Sequence, residues 1–434
     1  MLPHRSACAT RCTFYSLFVT LLVIFLTNCG VTASTSESAV STTSPSPTEG
    51  TPSSPTPSAT PSPGTGSSTP SPNPTMNSGA EFLYAVAPAD NNISSFTVYE
   101  INQDTGQLSQ VTTTAIPVRS AQSMAVDSSG QNFYVTGSDA PGTNMDLVKV
   151  DPSTHEITPL PGQTFHTLPQ FADKGDCCPN TVAVDGSGKF AYVGGSNDGS
   201  IHVYAVDLNS GSWNEISPSN AQPPSGGGAV DTIAMHPTNK FLYESQRASS
   251  FVNLWQRNQN SGFIAPSPSS PFQTGALTSS VSVSADGKYL FVPQSLRGEV
   301  SVYKVNTDGT FVPLAGSPVT AGNAPSRVVM DPQDRFLFVL NSGTYSGGPA
   351  SVQSFTLHQA SGAITPVANS TFTVYAVGEI RVDAAGKYLY AVGGQTMAWS
   401  IDQATGALTP VQGSPFKIVA TDAIILQQST AGTQ

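Results

Sequence analysis

Seven polar side chains recur along the chain at similar intervals: Gln122, Asn180, Asp231, Ser279, Arg327, Glu379 and Asp422. Each stands where a short stretch of alternating apolar residues begins. A carboxylate such as Glu379 can take a proton from water, and guanidiniums such as Arg327 and Arg381 can hold negative charge developing on an oxygen. Gathered in one place, these groups would either add water to a polarised carbonyl or hold an anionic ligand. Arg119, Arg247 and Arg297 bring further positive charge to the same region of the pattern, and His166 lies in the long stretch before Cys177 and Cys178. The plainer alternative is a hydrated ring of polar groups that satisfies only water and backbone.

The remaining chemistry is sparse. Adjacent Cα atoms lie about 3.8 Å apart, below the ~4.4–6.8 Å usual for disulfides. A Cys177–Cys178 bridge would therefore be strained and would stiffen its loop; two free thiols are the alternative. His155, His166, His202, His236 and His358 are scattered, with no zinc spacing and no acidic calcium loop. No phosphate-binding loop or Ser-His-Asp pattern stands out, so no metal and no cofactor is expected.

The elements that position these residues repeat. Thr181 to Gly211 contains Val182 and Val184, then Phe190 and Tyr192, at the period of two of half-buried strands, with Asp185-Gly186-Ser187-Gly188 as the turn between. The aromatic of the second strand recurs at Tyr84, Tyr134, Tyr192, Tyr243, Phe291, Phe338 and Tyr390, a spacing of about 40–50 residues that suits propeller blades. Outer hairpin turns recur as well, at Gln103-Asp104-Thr105-Gly106, Asn209-Ser210-Gly211 and Gln403-Ala404-Thr405-Gly406.

The first unit begins at its second strand, Phe82-Leu83-Tyr84, and the chain's end supplies the missing one, Ala423 to Gln427. This predicts an all-β seven-bladed propeller over 80–428, with the last strand closing the first blade. The irregular loops 136–145, 165–180, 222–230 and 342–350 then share one face. The seven polar positions open the inner strands at that face, which makes it the expected binding side.

Ahead of the repeats, 1–28 reads as a signal peptide: His4, Arg5 and Arg11, then an apolar run from Phe14 to Leu26 that is short for a span of about 20 residues. Leu26-Thr27-Asn28-Cys29 has the form of a lipobox, with Cys29 as the lipidated residue; Val31-Thr32-Ala33 offers a rival cleavage site. Residues 29–79 are Ser-, Thr- and Pro-rich and are expected to be a disordered tether, and 429–434 a tail. The expectation is a monomeric lipoprotein held on a membrane in the periplasm or at the cell surface, with secretion as the alternative. Loss of Arg5 and Arg11 leaves 15 basic against 28 acidic residues, about −13, which speaks against nucleic acid as a partner.

Gly188-Lys189-Phe190-Ala191-Tyr192-Val193, the related run Gly386 to Val392, Ala234-Met235-His236-Pro237 and Gly378-Glu379-Ile380-Arg381-Val382 resemble the lactonase-type seven-bladed propellers, the family of 6-phosphogluconolactonase. Tyr134-Val135-Thr136-Gly137 also resembles the YVTN surface-layer propellers. The resemblance implies a sugar-lactone hydrolase and matches Glu379 alone to a family motif; by their chemistry, Glu379 with Arg327 or Arg381 would supply base and oxyanion donor. Cys178-Pro179-Asn180-Thr181, Gln246-Arg247, Gln294-Ser295 and Gly393-Gly394 depart from family positions that carry histidine, Asn-Glu and Asn-Arg-Gly. These departures favour binding of a small molecule or protein at the variable face without turnover, with Gln122, Asn180, Asp231, His166, Arg247 and Arg297 as contacts. Lactone hydrolysis is the alternative.

Overall fold

The turn chemistry of the repeat forms as its residues dictate. In Asp185-Gly186-Ser187-Gly188 the Asp185 carboxylate accepts from the Phe190 amide at 2.9 Å, and Gly188 takes φ +70, the left-handed region that Gly enters without a Cβ clash. This closes the hairpin between the first and second strands of a blade, and two further antiparallel strands follow. The structure is a computed structural model that describes residues 79–428, apart from 89–92, 140–141, 161–178, 196–198, 222–227, 248, 276, 344–347 and 376. The signal segment, Cys29, the tether, His166, Cys177, Cys178 and the tail lie outside the described residues, as does the side chain of Asn180.

Seven antiparallel sheets form, one per blade, and the described residues contain no helix. Blade 2 has strands Ala121–Val126, Asn132–Asp139, Gly142–Val150 and Ile157–Pro159; blade 3 has Pro179–Val184, Phe190–Gly195, Ile201–Val206 and Trp213–Ala221. Blades 4 and 5 start at Val230–Met235 and Ser282–Val283, and each adds a short extra strand on its third, Phe272–Gln273 and Val319–Thr320. Blades 6 and 7 start at Pro325–Met330 and Val377–Val382.

Blade 1 is assembled from both ends of the repeat region. Glu81–Pro88, Ser94–Ile101 and Leu108–Ile116 are joined by Asp422–Gln427, with Leu83 opposite Ile425 and Tyr84 opposite Ile424. The closing strand alternates as a two-sided strand must: Ile424 and Leu426 pack toward blade 2, and Ile425 toward blade 7.

The core confirms the ring. Buried apolar residues form seven clusters, each shared by two neighbouring blades, including one between blades 7 and 1 built from Leu83, Tyr390, Val392 and Ala423. An open array of seven blades would have six such interfaces. Tyrosine hydroxyls tie neighbours as well: Tyr192 donates to the Gly262 carbonyl at 2.9 Å, Tyr243 to Gly309 at 2.8 Å, and Tyr390 to Gly106 across the closing seam at 2.9 Å. A buried phenol needs such a partner, which explains why the repeat carries Tyr at these places.

The inner strands hold a detail that the repeat pattern conceals. Pairing with the second strand shifts register between Ala121 and Ser123, Pro179 and Thr181, Val230 and Thr232, Pro325 and Arg327, and Val377 and Glu379. In each of these five blades one extra residue bulges at the mouth of the channel.

Candidate functional site

These bulges correct the polar ring read from the sequence. Gln122, Asn180 and Asp231 are themselves the extra residues, whereas Arg327 and Glu379 lie one position further in. The residues in equivalent register pair with the position two beyond the strand aromatic: Ser123 with Thr136, Thr181 with Gly194, Thr232 with Ser245, Arg327 with Leu340, Glu379 with Val392 and Asp422 with Val86. Ser280 holds the same place in blade 5, one residue inside Ser279; Ser279 instead donates to the Pro325 carbonyl at 2.8 Å. Hydrophobic spacing survives a one-residue insertion at a strand's start, so the sequence alone did not reveal the offset.

All seven corrected positions line a throat of about 240 Å³ at the channel axis. A wider vestibule of about 440 Å³ adjoins it, sharing Gln122, Asp231, Arg327, Gly378 and Thr421 and adding Arg247 from the end of blade 4's second strand. The throat is chemically two-sided. Blades 2 to 5 offer the hydroxyls of Ser123, Thr181, Thr232 and Ser280, while blades 6, 7 and 1 offer Arg327, Glu379 and Asp422.

Arg381, two residues beyond Glu379 and on the same strand face, is the hub of the charged half. Its Nη1 lies 2.7 Å from Glu379 Oε1 and its Nη2 donates to Asp422 Oδ1 at 2.8 Å, while Nε donates to the Ala423 carbonyl at 2.6 Å. Arg327 donates through Nε to Glu379 Oε2 at 3.2 Å and through Nη1 to the Ser326 carbonyl at 3.0 Å. Arg327 lines both cavities, its side chain is 33% exposed, and its charge also pulls on Asp231. Asp422 also accepts from the amide of Met124 in blade 2 at 2.9 Å, which fixes the closing strand against its other neighbour.

These contacts set the two carboxylates apart. Burial opposes ionisation of Glu379, but the guanidiniums of Arg381 and Arg327 outweigh it and hold the carboxyl below its usual range. Burial pushes Asp422 up to about 6, with Arg381 opposing and Glu379 reinforcing the rise. Asp231 is raised by burial against the pull of Arg247, whose Nη2 donates to Asp231 Oδ1 at 2.9 Å. Two nearby carboxyls with divergent acidities are the arrangement that general acid–base chemistry uses.

The structure thus gathers Glu379, Arg327 and Arg381 in one cluster and brings Gln122, Asp231 and Arg247 to the vestibule above it. Arg297 lines neither cavity. Asp422 belongs to the charged cluster and the four throat hydroxyls belong to the ring, although the sequence singled out none of these hydroxyls. Among the described residues no group of three or more His, Cys, Asp or Glu is placed to hold a metal.

A second constellation corrects the expectation that no serine–histidine–acid arrangement is present. Ser200 Oγ lies 2.8 Å from His202 Nε2, and His202 Nδ1 lies 3.2 Å from Glu215 Oε1. The i, i+2 spacing of Ser200 and His202 is visible in the sequence, but the reach to Glu215 across an irregular pairing is not. Ser200 is fully buried and lines neither cavity, which makes this a satisfied polar contact within blade 3. His236 is placed in the same way: it accepts from or donates to Thr238 at 2.8 Å and reaches the Gly287 carbonyl at 3.0 Å, as a turn residue does.

Comparison with known proteins finds a partial family match and distant relatives. A model described as lactonase, 7-bladed β-propeller, matches residues 232–370. A 6-phosphogluconolactonase of Bacillus subtilis is 23% identical over 280 residues, 63% of this chain and 78% of its own length. One of Serratia proteamaculans is 22% identical over 170 residues, and the chain spans about half of it, 49%. Among solved structures, the periplasmic gluconolactonase of Pseudomonas aeruginosa aligns with a TM-score of 0.63 at 14% identity over 80% of this chain and 99% of its own. A Bacteroides uniformis protein, provisionally a 6-phosphogluconolactonase, aligns with a TM-score of 0.67 at 13% identity over 81% of this chain and all of its own. At such identities the structural likeness speaks to fold.

Proposed function

We propose that this lactonase-type seven-bladed propeller binds a sugar lactone in the throat and opens its ring with water. The observation that carries the reading is the clamping of Glu379 between Arg327 and Arg381 beside an open cavity. Glu379 Oε2 has one hydrogen-bond partner, Arg327 Nε, and so keeps a lone pair for an incoming water. Water oxygen adds to the lactone carbonyl while its proton passes to Glu379. The part-exposed guanidinium of Arg327 donates to the carbonyl oxygen as negative charge develops there. The acyl–oxygen bond then breaks, the proton returns to the departing ring oxygen, and an open-chain hydroxy acid leaves. Arg381 touches no reacting atom; it positions Glu379 and Asp422. The hydroxyls of Ser123, Thr181 and Thr232 suit a polyhydroxylated ring, for which they act as donors and acceptors alike.

One observation favours a second reading, binding without turnover: the guanidiniums that keep Glu379 ionised also lower its basicity. The two readings separate in one assay. Purified protein is incubated with glucono-δ-lactone and with 6-phosphogluconolactone, and acid release is followed against the spontaneous rate. Acceleration that disappears in Glu379→Gln supports the hydrolase. No acceleration with either lactone, together with a thermal shift on adding lactone or aldonic acid, supports the binder.

We further propose that this head acts outside the cytoplasm on a lipid anchor at Cys29, in keeping with the signal-like residues 1–28 and the Ser-, Thr- and Pro-rich stretch after them. The mass of the mature N-terminus tests this: a diacylglyceryl cysteine supports it, and an unmodified terminus after Ala33 overturns it.

A further inference from the structure

The turns between inner and second strands lie on the face opposite the throat, and in blades 2, 3 and 6 they open with an aspartate whose second oxygen finds a donor. Asp127 receives Asn132 Nδ2 at 2.7 Å, Asp185 receives Arg257 Nη2 at 3.0 Å, and Asp331 receives Arg335 Nε at 2.8 Å. Asp383 of blade 7 departs from this. Its Oδ1 accepts from the Tyr388 amide at 2.7 Å, but its Oδ2 is buried without a partner.

What stands beside Asp383 is another acid. Between blades 5 and 6, Asp334 of the later turn accepts from the amides of Ala285 and Asp286 in the earlier one. Blade 1 has no such turn, because the chain enters it at the second strand. Glu81, the first residue of that strand, takes over the task, and its Oε2 accepts from the Ala384 amide at 3.3 Å. Its Oε1 is buried without a partner as well, and both Glu81 and Asp383 are fully buried. The join that closes the ring therefore holds two buried carboxyls, each with one oxygen that has no hydrogen-bond partner.

We propose that Glu81 and Asp383 share a proton in the closed ring, so that closure is firmest in mildly acidic medium and loosens as the medium approaches neutrality. Burial pushes Asp383 up to about 7, with the charge of Glu81 reinforcing the rise, and burial raises Glu81 too. Burial lifts both acids more than the amides of Ala384 and Ala385 and the Gln103 side chain draw Glu81 down, or the amides of Tyr388 and Lys387 draw Asp383 down. Lys387 on the blade 7 hairpin lowers both acids, but its side chain is exposed. Gln103 on the blade 1 outer hairpin offers an amide, and neighbouring Asp104 adds negative charge that acts on Tyr388. Tyr388 and Tyr390 are themselves raised by burial and stay neutral.

The sign follows from proton counting. Between the ordinary carboxylate range near 4 and about 7, the closed seam holds a proton that the open seam has lost. Over that window the open-to-closed ratio rises by up to about tenfold per pH unit, and above it the ratio levels off. Hydrogen exchange on the full chain reads this directly, as the exchange of a peptide covering 422–427 divided by that of one covering 241–246 in blade 4; the ratio cancels the intrinsic pH dependence. The expected ratio climbs from about pH 5 to 7 and then flattens in the natural chain, and climbs less in Asp383→Asn and Glu81→Gln, where one buried carboxyl remains. If either variant does not fold, Lys387→Gln serves instead, and the flattening moves to higher pH. A ratio that does not change with pH, an unchanged slope in the variants, or abolition of the rise by millimolar Ca²⁺ or Mg²⁺ overturns the proposal; the last would mean that a cation occupies the pair.

Discussion

Arg381→Met offers the sharpest test of the charged cluster. The substitution keeps an unbranched apolar stem but removes the guanidinium from two carboxylates and from the carbonyls of Ile380 and Ala423. Glu379 and Asp422 are only 17% and 9% exposed, so water replaces little of what is lost. Removing one partner of a buried ion pair costs about 3–5 kcal/mol. Protonation caps this cost: neutralising one ordinary carboxyl of pKa near 4 at about pH 7 takes roughly 4 kcal/mol. Partial exposure of Arg381, at 27%, places the expectation at the lower end, about 3 kcal/mol near pH 7. The loss shrinks toward acid, because without the arginine the carboxyls then take up protons at little cost, and Asp422, pushed up to about 6 by burial, is protonated even with it. Urea denaturation at about pH 7.5 and about pH 4.5 measures both numbers. A loss below about 1 kcal/mol near neutrality, or one equally large in acid, would show that the cluster is a solvated surface feature and remove the electrostatic basis assigned to the throat.

Other outcomes follow from the same geometry. Glu379→Gln retains the fold and lowers lactone turnover by about 10²–10⁴, the usual range for a lost acid–base group, read from initial rates of acid release. The lower limb of kcat/KM against pH falls below about 6 as Asp422 takes up a proton and leaves Arg381 to Glu379 alone; Asp422→Asn removes or displaces that limb. Gly262→Ala melts lower than the natural chain, because Gly262 has φ +72 and a Cβ there would stand 2.2 Å from Phe190 of the preceding blade; the cost exceeds about 1 kcal/mol. A variant as stable as the natural chain in calorimetry would argue against blade packing as described.

The scaffold was legible because its signals are local. A period of two between Val182 and Tyr192, Gly at positive φ in Gly188 and Gly262, and a strand missing at one end yet present at the other each report on a few neighbouring residues. The site was legible only in part. Arg327, Glu379 and Arg381 were marked by charge in otherwise apolar strands, and they do meet. The bulge was not, since Gln122 and Ser123 are both acceptable at a strand's start and only pairing with Thr136 tells which one faces the axis. The Ser200–His202–Glu215 contact was missed for a related reason: Glu215 reaches His202 across strands whose pairing is itself irregular between His202 and Tyr204. The isolated carboxyls of Glu81 and Asp383 are 302 positions apart in sequence and become neighbours only through ring closure.

Closure and site are joined in a single strand, and this makes deletion after Thr421 informative. The strand buries Ala423 fully and Ile424, Ile425 and Leu426 in part, against blade 2 on one side and blade 7 on the other. At about 1–2 kcal/mol for each partly buried aliphatic, its removal costs on the order of 3–6 kcal/mol before the lost ladder bonds. That is a large share of the ~5–15 kcal/mol that holds a typical folded domain. The same deletion removes Asp422, and with it the bond to Met124 and one of the two carboxylates held by Arg381. Asp422→Asn separates the two roles, because the amide oxygen still accepts from Met124 while the charge is gone. The expected pattern is a deletion that melts early and binds nothing, beside a point variant that melts near the natural chain with altered pH dependence. A deletion that melts as the natural chain does would mean that the ring is not held by its terminal strand, and the channel-mouth assignment of every throat residue would fall with it.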